Sequence, residues 1–452
     1  MGTRNDDISL KLAKAVKQGF LPDVADSEVG ILEKEAALLF RNDRARTLKG
    51  AESVLFQPSA TSLLKWRATR QETLANKRQA HVAFVGDSIP KGAAATGASS
   101  PKPTNCYPGQ LRTRLNGIHG SAGSGITIAD ANDRANPTWD PRWTYGGASF
   151  LDHAFGFHGS ACFRLNGGSD ATLDFTDIAD EFWIYTFSSG SGAFSIQVDA
   201  QAAVTATHLS SGAGGTVARE TGFHANGGNA INVFKVSTGS TASHTLKIRP
   251  SVTAGQNTFV WGVEARVNGN GKFRVSNASI SGKSLMTFFG SSSTPETYND
   301  ATGLYGLPLI DSLKSDLLVI ALGINDWQGQ RSLSSVENWL NILIDRQRAS
   351  TVSSPGCVPA NGDVVLLWNP KPDTATLAGG PASNSNPSWD DYRNLYYEVA
   401  EKKDVALIDL GERWRDYTTA NSYGLYADTI HPGDKGAGDI AGAVYRALFV
   451  EA

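Results

Sequence analysis

Apolar residues change their spacing along the chain. From Ile8 to about Arg78 they recur at helical intervals, as in Ile8, Leu12 and Val16, then Ile31, Leu32, Leu38 and Leu39, then Leu63, Leu64 and Trp66. This predicts a helical N-terminal segment over residues 1–78. At His81 the pattern becomes a continuous apolar run, HVAFVGDS, that ends in a polar turn, as a strand buried on both faces does. Three further runs of this kind are DLLVIALGIND (316–326), DVVLLWNP (363–370) and DVALIDL (404–410). Stretches of helical periodicity, VENWLNILIDRQR and WDDYRNLYYEVAEKK, lie between them. Strands alternating with helices predict an α/β domain, a parallel sheet covered on both faces.

Between about Gly146 and Lys272 the texture differs. Gly and Ser are abundant, helical periodicity is absent, and short alternating segments recur: ATLDF, FSIQV, HTLKI and FVWGVEARV. These read as antiparallel strands separated by turns, and the expectation is a jelly-roll-like β-sandwich inserted into the α/β domain. The α/β domain then comprises residues 79–145 and 273–452, and the insert residues 146–272.

Composition narrows the class. With 40% hydrophobic and 19% charged residues and 47 glycines in 452 residues, the chain suits an ordered, turn-rich globular protein. A net charge of -3 offers no broad basic field, so nucleic acid is not an expected partner. Three widely spaced cysteines, Cys106, Cys162 and Cys357, argue against a disulfide framework or a Cys-x-x-Cys metal site. The start lacks the apolar stretch of a signal peptide, and no apolar run reaches about 18 residues. The expectation is a soluble protein without membrane insertion. Such a protein would be virion-associated or act outside the cell.

Three short motifs carry candidate chemistry. Gly86-Asp87-Ser88 ends a buried strand, where open parallel sheets place their ligands, which makes Ser88 a candidate nucleophile; the plain alternative is a polar turn. Gly323-Ile324-Asn325-Asp326 also follows a buried strand, and Asn325 could donate an amide N–H to a developing oxyanion, or simply cap a helix. In Asp428-Thr429-Ile430-His431-Pro432 a carboxylate three residues before an imidazole can reach its Nδ1 and leave Nε2 free for a serine proton, although Asp-x-x-His is often structural.

In this order the motifs resemble the blocks of the SGNH (GDSL-like) hydrolase superfamily. The resemblance implies a flavodoxin-like three-layer α/β/α domain, with Ser88 as nucleophile, His431 as base, Asp428 as its orienter, and the Ser88 amide and Asn325 as oxyanion donors. It also implies a glycine whose backbone N–H completes the oxyanion hole. FRVSNASISGKSL nominates Gly282, with Gly123 and Gly125 in HGSAGSG as rivals. No cofactor or metal is implied, and histidines 81, 119, 153, 158, 208, 224 and 244 are scattered without ligand spacing.

The family spans lipases, thioesterases and carbohydrate deacetylases. A carbohydrate-binding-module-like insert, with aromatic stretches TWDPRWTYGG (138–147) and EFWIYTF (181–187) that either stack on sugar rings or fill a core, favours O-deacetylation of an acetylated glycan. The arrangement is similar to phage tail-associated esterases, and the N-terminal segment would suit a homo-oligomer. The rival readings are a non-catalytic glycan-binding or structural protein on a hydrolase fold, and a lipase or thioesterase.

Overall fold

Seven-residue β2 (Ala80–Gly86) is buried along its whole length, and so are β13 (Leu317–Ala321), β14 (Asp363–Trp368) and β15 (Ala406–Asp409). A strand that meets apolar layers on both faces needs no polar alternation, which is why these segments are continuous runs of Val, Leu, Ile and Ala. The computed structural model describes residues 54–94, 102–128, 140–147, 149–152, 162–187, 193–207, 231–288, 312–349, 361–374 and 387–451. Parallel pairing joins β14 to β13 and β15, β13 to β2, and β2 to β12 (Phe273–Asn277). Counted in chain order, β2, β12, β13, β14 and β15 therefore lie side by side as 2-1-3-4-5, the order of doubly wound flavodoxin-like sheets. The short β1 (Leu55–Phe56) adds an antiparallel edge to β15.

The helices that cover the sheet are amphipathic and deliberately started. The helix Leu333–Arg348 buries Val336, Trp339, Leu340, Leu343, Ile344 and Gln347, a stripe at helical spacing, behind an N-cap at Ser332. The helix Trp389–Lys403 buries Trp389, Tyr392, Leu395, Tyr396, Val399 and Ala400 and begins with a reciprocal capping box between Ser388 and Asp391. Of the expected N-terminal helical segment, the helix Leu64–Leu74 lies within the described residues, and residues 1–53 lie outside them.

The antiparallel strands belong to the same hydrogen-bonded sheet. β3 (Gly125–Ile128) pairs parallel with β12 and antiparallel with β11 (Thr258–Arg266); beyond β11 the order runs β7 (Thr172–Phe187), β10 (Ile231–Arg249), β8 (Ala193–Val198), β9 (Val204–Thr207). β4 (Trp143–Gly146) pairs with β7, and β5 (Ser149–Asp152) pairs with β6 (Cys162–Leu165), which flanks β11. The strands expected to form a sandwich are, over the described residues, hydrogen-bonded to the parallel sheet as an antiparallel wing. The wing has its own apolar core, including Phe163, Leu173, Phe175, Phe182, Phe194 and Leu246. Trp143 is buried against Phe163 and Phe175 at centroid distances of 4.9 and 4.5 Å, and Phe182 and Tyr185 are also buried. These aromatics fill the interior and offer no face to a sugar.

Candidate active site

The turn after β2 is too tight for any side chain at its first residue. A Cβ on Gly86 would stand 2.3 Å from Pro90 Cγ and 2.7 Å from the Ala321 carbonyl oxygen. Asp87 then caps a single helical turn, Ser88–Lys91, by accepting the Ile89 N–H at 2.9 Å, and Gly92 closes the turn with φ of 83°. This holds Ser88 at the C-terminal edge of the sheet, with 9% of its surface exposed.

His431 reaches the same point from a tight turn near the C-terminus. The Ala427 N–H donates to the His431 carbonyl at 2.9 Å, and Tyr426 and Pro432 form an isolated bridge, so residues 427–431 close on themselves. Within the turn Asp428 Oδ1 accepts the N–H groups of Ile430 and His431, both at 2.7 Å. Its other oxygen lies 2.8 Å from His431 Nδ1, and His431 Nε2 lies 2.9 Å from Ser88 Oγ. Asp428 orients the ring as the Asp-x-x-His spacing suggests, and the two backbone N–H bonds fix the carboxylate itself. Partial burial opposes ionisation of Asp428, but the hydrogen bonds from the His431 side chain and from the two amides outweigh it and hold the group down at about 2. A hydroxyl, an imidazole and a fixed anion thus stand in line, an arrangement able to remove a proton from the serine as it attacks.

On the other side, β13 leads through Gly323, at φ of 119°, into the helical turn Ile324–Gln328. A Cβ on Gly323 would meet Trp368 and the Tyr396 hydroxyl, both at 2.8 Å. Asn325 Nδ2 donates to the Lys283 carbonyl at 2.8 Å, which fixes the amide plane and draws it to the loop that contains Gly282. That loop is tied to the nucleophile's strand by the Ile280 N–H, which donates to the Gly86 carbonyl at 3.0 Å. Gly282 has φ of 75° and nothing within 4 Å of an added Cβ, so backbone conformation rather than crowding calls for glycine there.

Gly123 and Gly125 stand elsewhere. Their added Cβ atoms would strike the backbone oxygens of Ala265 and Val275 at 2.3 and 2.4 Å, and Gly125 is the first residue of β3, at the opposite end of that strand from the Ser88 edge. They are packing glycines between strands. Hydrogen bonds thus join Ser88, His431 and Asp428 in one line, Asn325 is tied to the loop of Gly282 through Lys283, and Gly123 and Gly125 lie at another strand.

Two carboxyl groups that motif reading passed over lie beneath the site. Asp87 and Asp326 are wholly buried; Asp326 accepts the Leu285 N–H at 3.1 and 3.0 Å, while one Asp87 oxygen has no hydrogen-bond partner. Their signal was position: each is the acid next to a nominated residue, Ser88 in one case and Asn325 in the other. Among the described residues no group of three His, Cys, Asp or Glu side chains could hold a metal ion, and no helix is long and apolar enough to cross a membrane.

Residues 250–438 match the family model of the GDSL-like lipase/acylhydrolase family. Over this span the chain is similar to that family. The matched span contains Gly282, Asn325, Asp428 and His431, and the strand pairing of β2 with β12 and β13 brings in Ser88 from before it. A solved peptidoglycan O-acetylesterase shares the fold, with a TM-score of 0.61 at 14% identity over 88% of this chain and 98% of that one. A carbohydrate acetylesterase from Sinorhizobium meliloti has 17% identity over 40% of this chain and 80% of its own, with a TM-score of 0.29. No curated protein matches the chain.

Proposed function

We propose that the hydrolase domain is a serine esterase that removes O-acetyl groups from a polysaccharide or cell-surface glycan through an acyl-enzyme. The observation that carries this reading is the unbroken line Ser88 Oγ, His431 Nε2, His431 Nδ1, Asp428 Oδ2, with contacts of 2.9 and 2.8 Å.

As Ser88 Oγ bonds to the ester carbonyl carbon, its proton passes to His431 Nε2, and Asp428 stabilises the imidazolium that forms. The carbonyl electrons move onto oxygen, where the amides of Ser88 and Gly282 and the side chain of Asn325 stabilise the charge, each donor lowering the barrier by about 3 kcal/mol. Collapse of this intermediate breaks the bond to the sugar oxygen, which takes the proton from His431 and leaves. A water molecule, deprotonated in turn by His431, attacks the acyl-serine, and acetate departs with Ser88 restored.

The Ser88→Ala protein should keep its circular dichroism spectrum and lose hydrolysis of p-nitrophenyl acetate, and release of acetate from acetylated glycans, by about 10⁴-fold or more. Hydrolysis near the wild-type rate would overturn the assignment.

A further inference from the structure

Two buried acids stand behind the donors of the proposed oxyanion hole. Asp87 is the residue before Ser88, and Asp326 is the residue after Asn325. Both are wholly buried, and they leave neighbouring strands, since β2 pairs with β13 as far as Gly86 opposite Ala321. Asp87 lies close enough to Asp326 to feel its charge.

The pair has no counter-ion. Asp87 accepts the Ile89 N–H at 2.9 Å through one oxygen, and its other oxygen, also buried, has no partner. Among the described residues no Lys, Arg or His side chain stands within ion-pair distance of either acid; Arg331 acts on Asp326 from further away. The stretches 95–101, 289–311 and 375–386, which border these elements in the chain and lie outside the described residues, contain no Lys, Arg or His. The other titratable neighbours are tyrosines, Tyr107 and Tyr396 facing Asp87, Tyr396 and Tyr392 facing Asp326, and burial and the acids' charge push their hydroxyls up, so they stay neutral. A buried carboxylate in such surroundings lacks what would offset its lost hydration, and two acids this close do not both ionise readily. Besides each acid's own amide, the Leu285 and Met286 N–H groups and Arg331 favour the anion of Asp326, whereas the Ile89 N–H alone favours that of Asp87. The proton of the pair therefore belongs on Asp87.

We propose that Asp87 is a positioning residue that must keep this proton for the esterase to turn over, so that its ionisation sets the alkaline limit of catalysis. The limit rests on the esterase reading; the proton on Asp87 does not. As the ester is attacked, negative charge grows on the carbonyl oxygen. A carboxylate one residue from Ser88, in a poorly screened interior, opposes that charge, and a neutral carboxyl does not. The neutral acid still accepts the Ile89 N–H, so it keeps the turn of Ser88 in place while leaving the oxyanion unopposed.

The shape of the pH profile tests this. Hydrolysis of p-nitrophenyl acetate is measured from about pH 5 to about pH 10 and corrected for reaction with hydroxide. Circular dichroism checks the fold at each pH, and each protein is scaled to its own maximum. Wild-type kcat/KM should rise as the base His431 becomes neutral and then fall through about 8, where burial and the charge of Asp326 place Asp87, to roughly a tenth of its maximum or less by about pH 9.5. Asp87→Asn cannot titrate and should lose the fall. Asp326→Asn removes the neighbouring charge and should move the fall to lower pH; should Asp87→Asn not fold, this shift decides. A wild-type profile level to about pH 10, a fall that Asp87→Asn keeps, or an Asp326→Asn profile that does not move down overturns the proposal. In parallel, carbon-13 NMR of wild-type protein labelled at its aspartate carboxyls should show one group titrating near about 8 that Asp87→Asn lacks, and its absence would also overturn the proposal. That signal together with no hydrolysis by wild type at any pH would sink the esterase reading, and the catalytic limit with it, while leaving the proton on Asp87.

Discussion

At the scale of single residues, Asp87 is the most constrained group near the site. Burial, opposed by the Ile89 N–H and reinforced by the charge of Asp326, pushes its carboxyl up to about 8, and burial likewise raises Asp326 to about 6. A neutral Asp87 can still accept the Ile89 N–H and start the Ser88 turn, so the protonated form is the one the fold wants. The consequence for stability has a definite sign. A carboxyl whose pKa is higher folded than unfolded favours folding fully below its unfolded value, and that contribution is lost as pH rises through the folded value, here from about 4 up to about 8. Asp87→Asn is isosteric and keeps the accepting oxygen without the titration. Its melting temperature should fall less between pH 6 and pH 9 than that of the wild type, as measured by calorimetry in matched buffers; parallel curves would show that Asp87 does not titrate in this range.

At the scale of elements, local signals set some features and long-range pairing set others. The capping box of the helix Trp389–Lys403 is local: Ser388 accepts the Asp391 N–H at 3.2 Å, and Asp391 accepts the Ser388 N–H at 2.8 Å. Ser388→Ala should destabilise the protein by about 1 kcal/mol in urea titrations with an unchanged slope, and a loss under a few tenths would mean that packing by Trp389 and Tyr392 fixes the helix start alone. The parallel strands were legible for a similar reason, since a run such as Leu317–Ala321 declares its burial without reference to any partner. So was the line from Ser88 to Asp428, because strand ends and a three-residue spacing locate those side chains. The short strands of the antiparallel wing were legible too, but not their lengths or pairing. ATLDF reads as a short strand, yet it runs with EFWIYTF into the 16-residue β7, which continues through the polar stretch Thr176, Asp177 and Asp180 because β10 pairs with it on both sides of an irregularity between Ser237 and Ala242. Likewise, that the loop of Gly282 neighbours Asn325, through the Lys283 carbonyl, is a matter of tertiary placement.

At the scale of the whole molecule, the question is how the wing is joined to the parallel sheet. β11 pairs with β3, β3 with β12, and across this seam Glu264 on β11 faces Arg274 on β12. Glu264 is almost wholly buried; Arg266 stands 2.6 Å from it, Tyr185 donates its hydroxyl at 3.0 Å, and Arg274 Nε lies 2.9 Å away, an ion pair misaligned for a hydrogen bond. Burial disfavours the carboxylate, but the Arg266 and Arg274 charges prevail and hold it down at about 2, so this group stays ionised and its contribution is lost only as pH falls through that value. Removing one member of a buried ionic group leaves the others uncompensated, which costs roughly 3–5 kcal/mol. Glu264→Gln should therefore lower the unfolding free energy by about that amount. If the seam couples the two parts, loss of p-nitrophenyl acetate hydrolysis and loss of the wing's tryptophan fluorescence should fall on one denaturation curve in the wild type and separate in the variant, where the wing unfolds first. A change below 1 kcal/mol, or coincident curves in the variant, would show that strand pairing between β3 and β11 couples them without the charges.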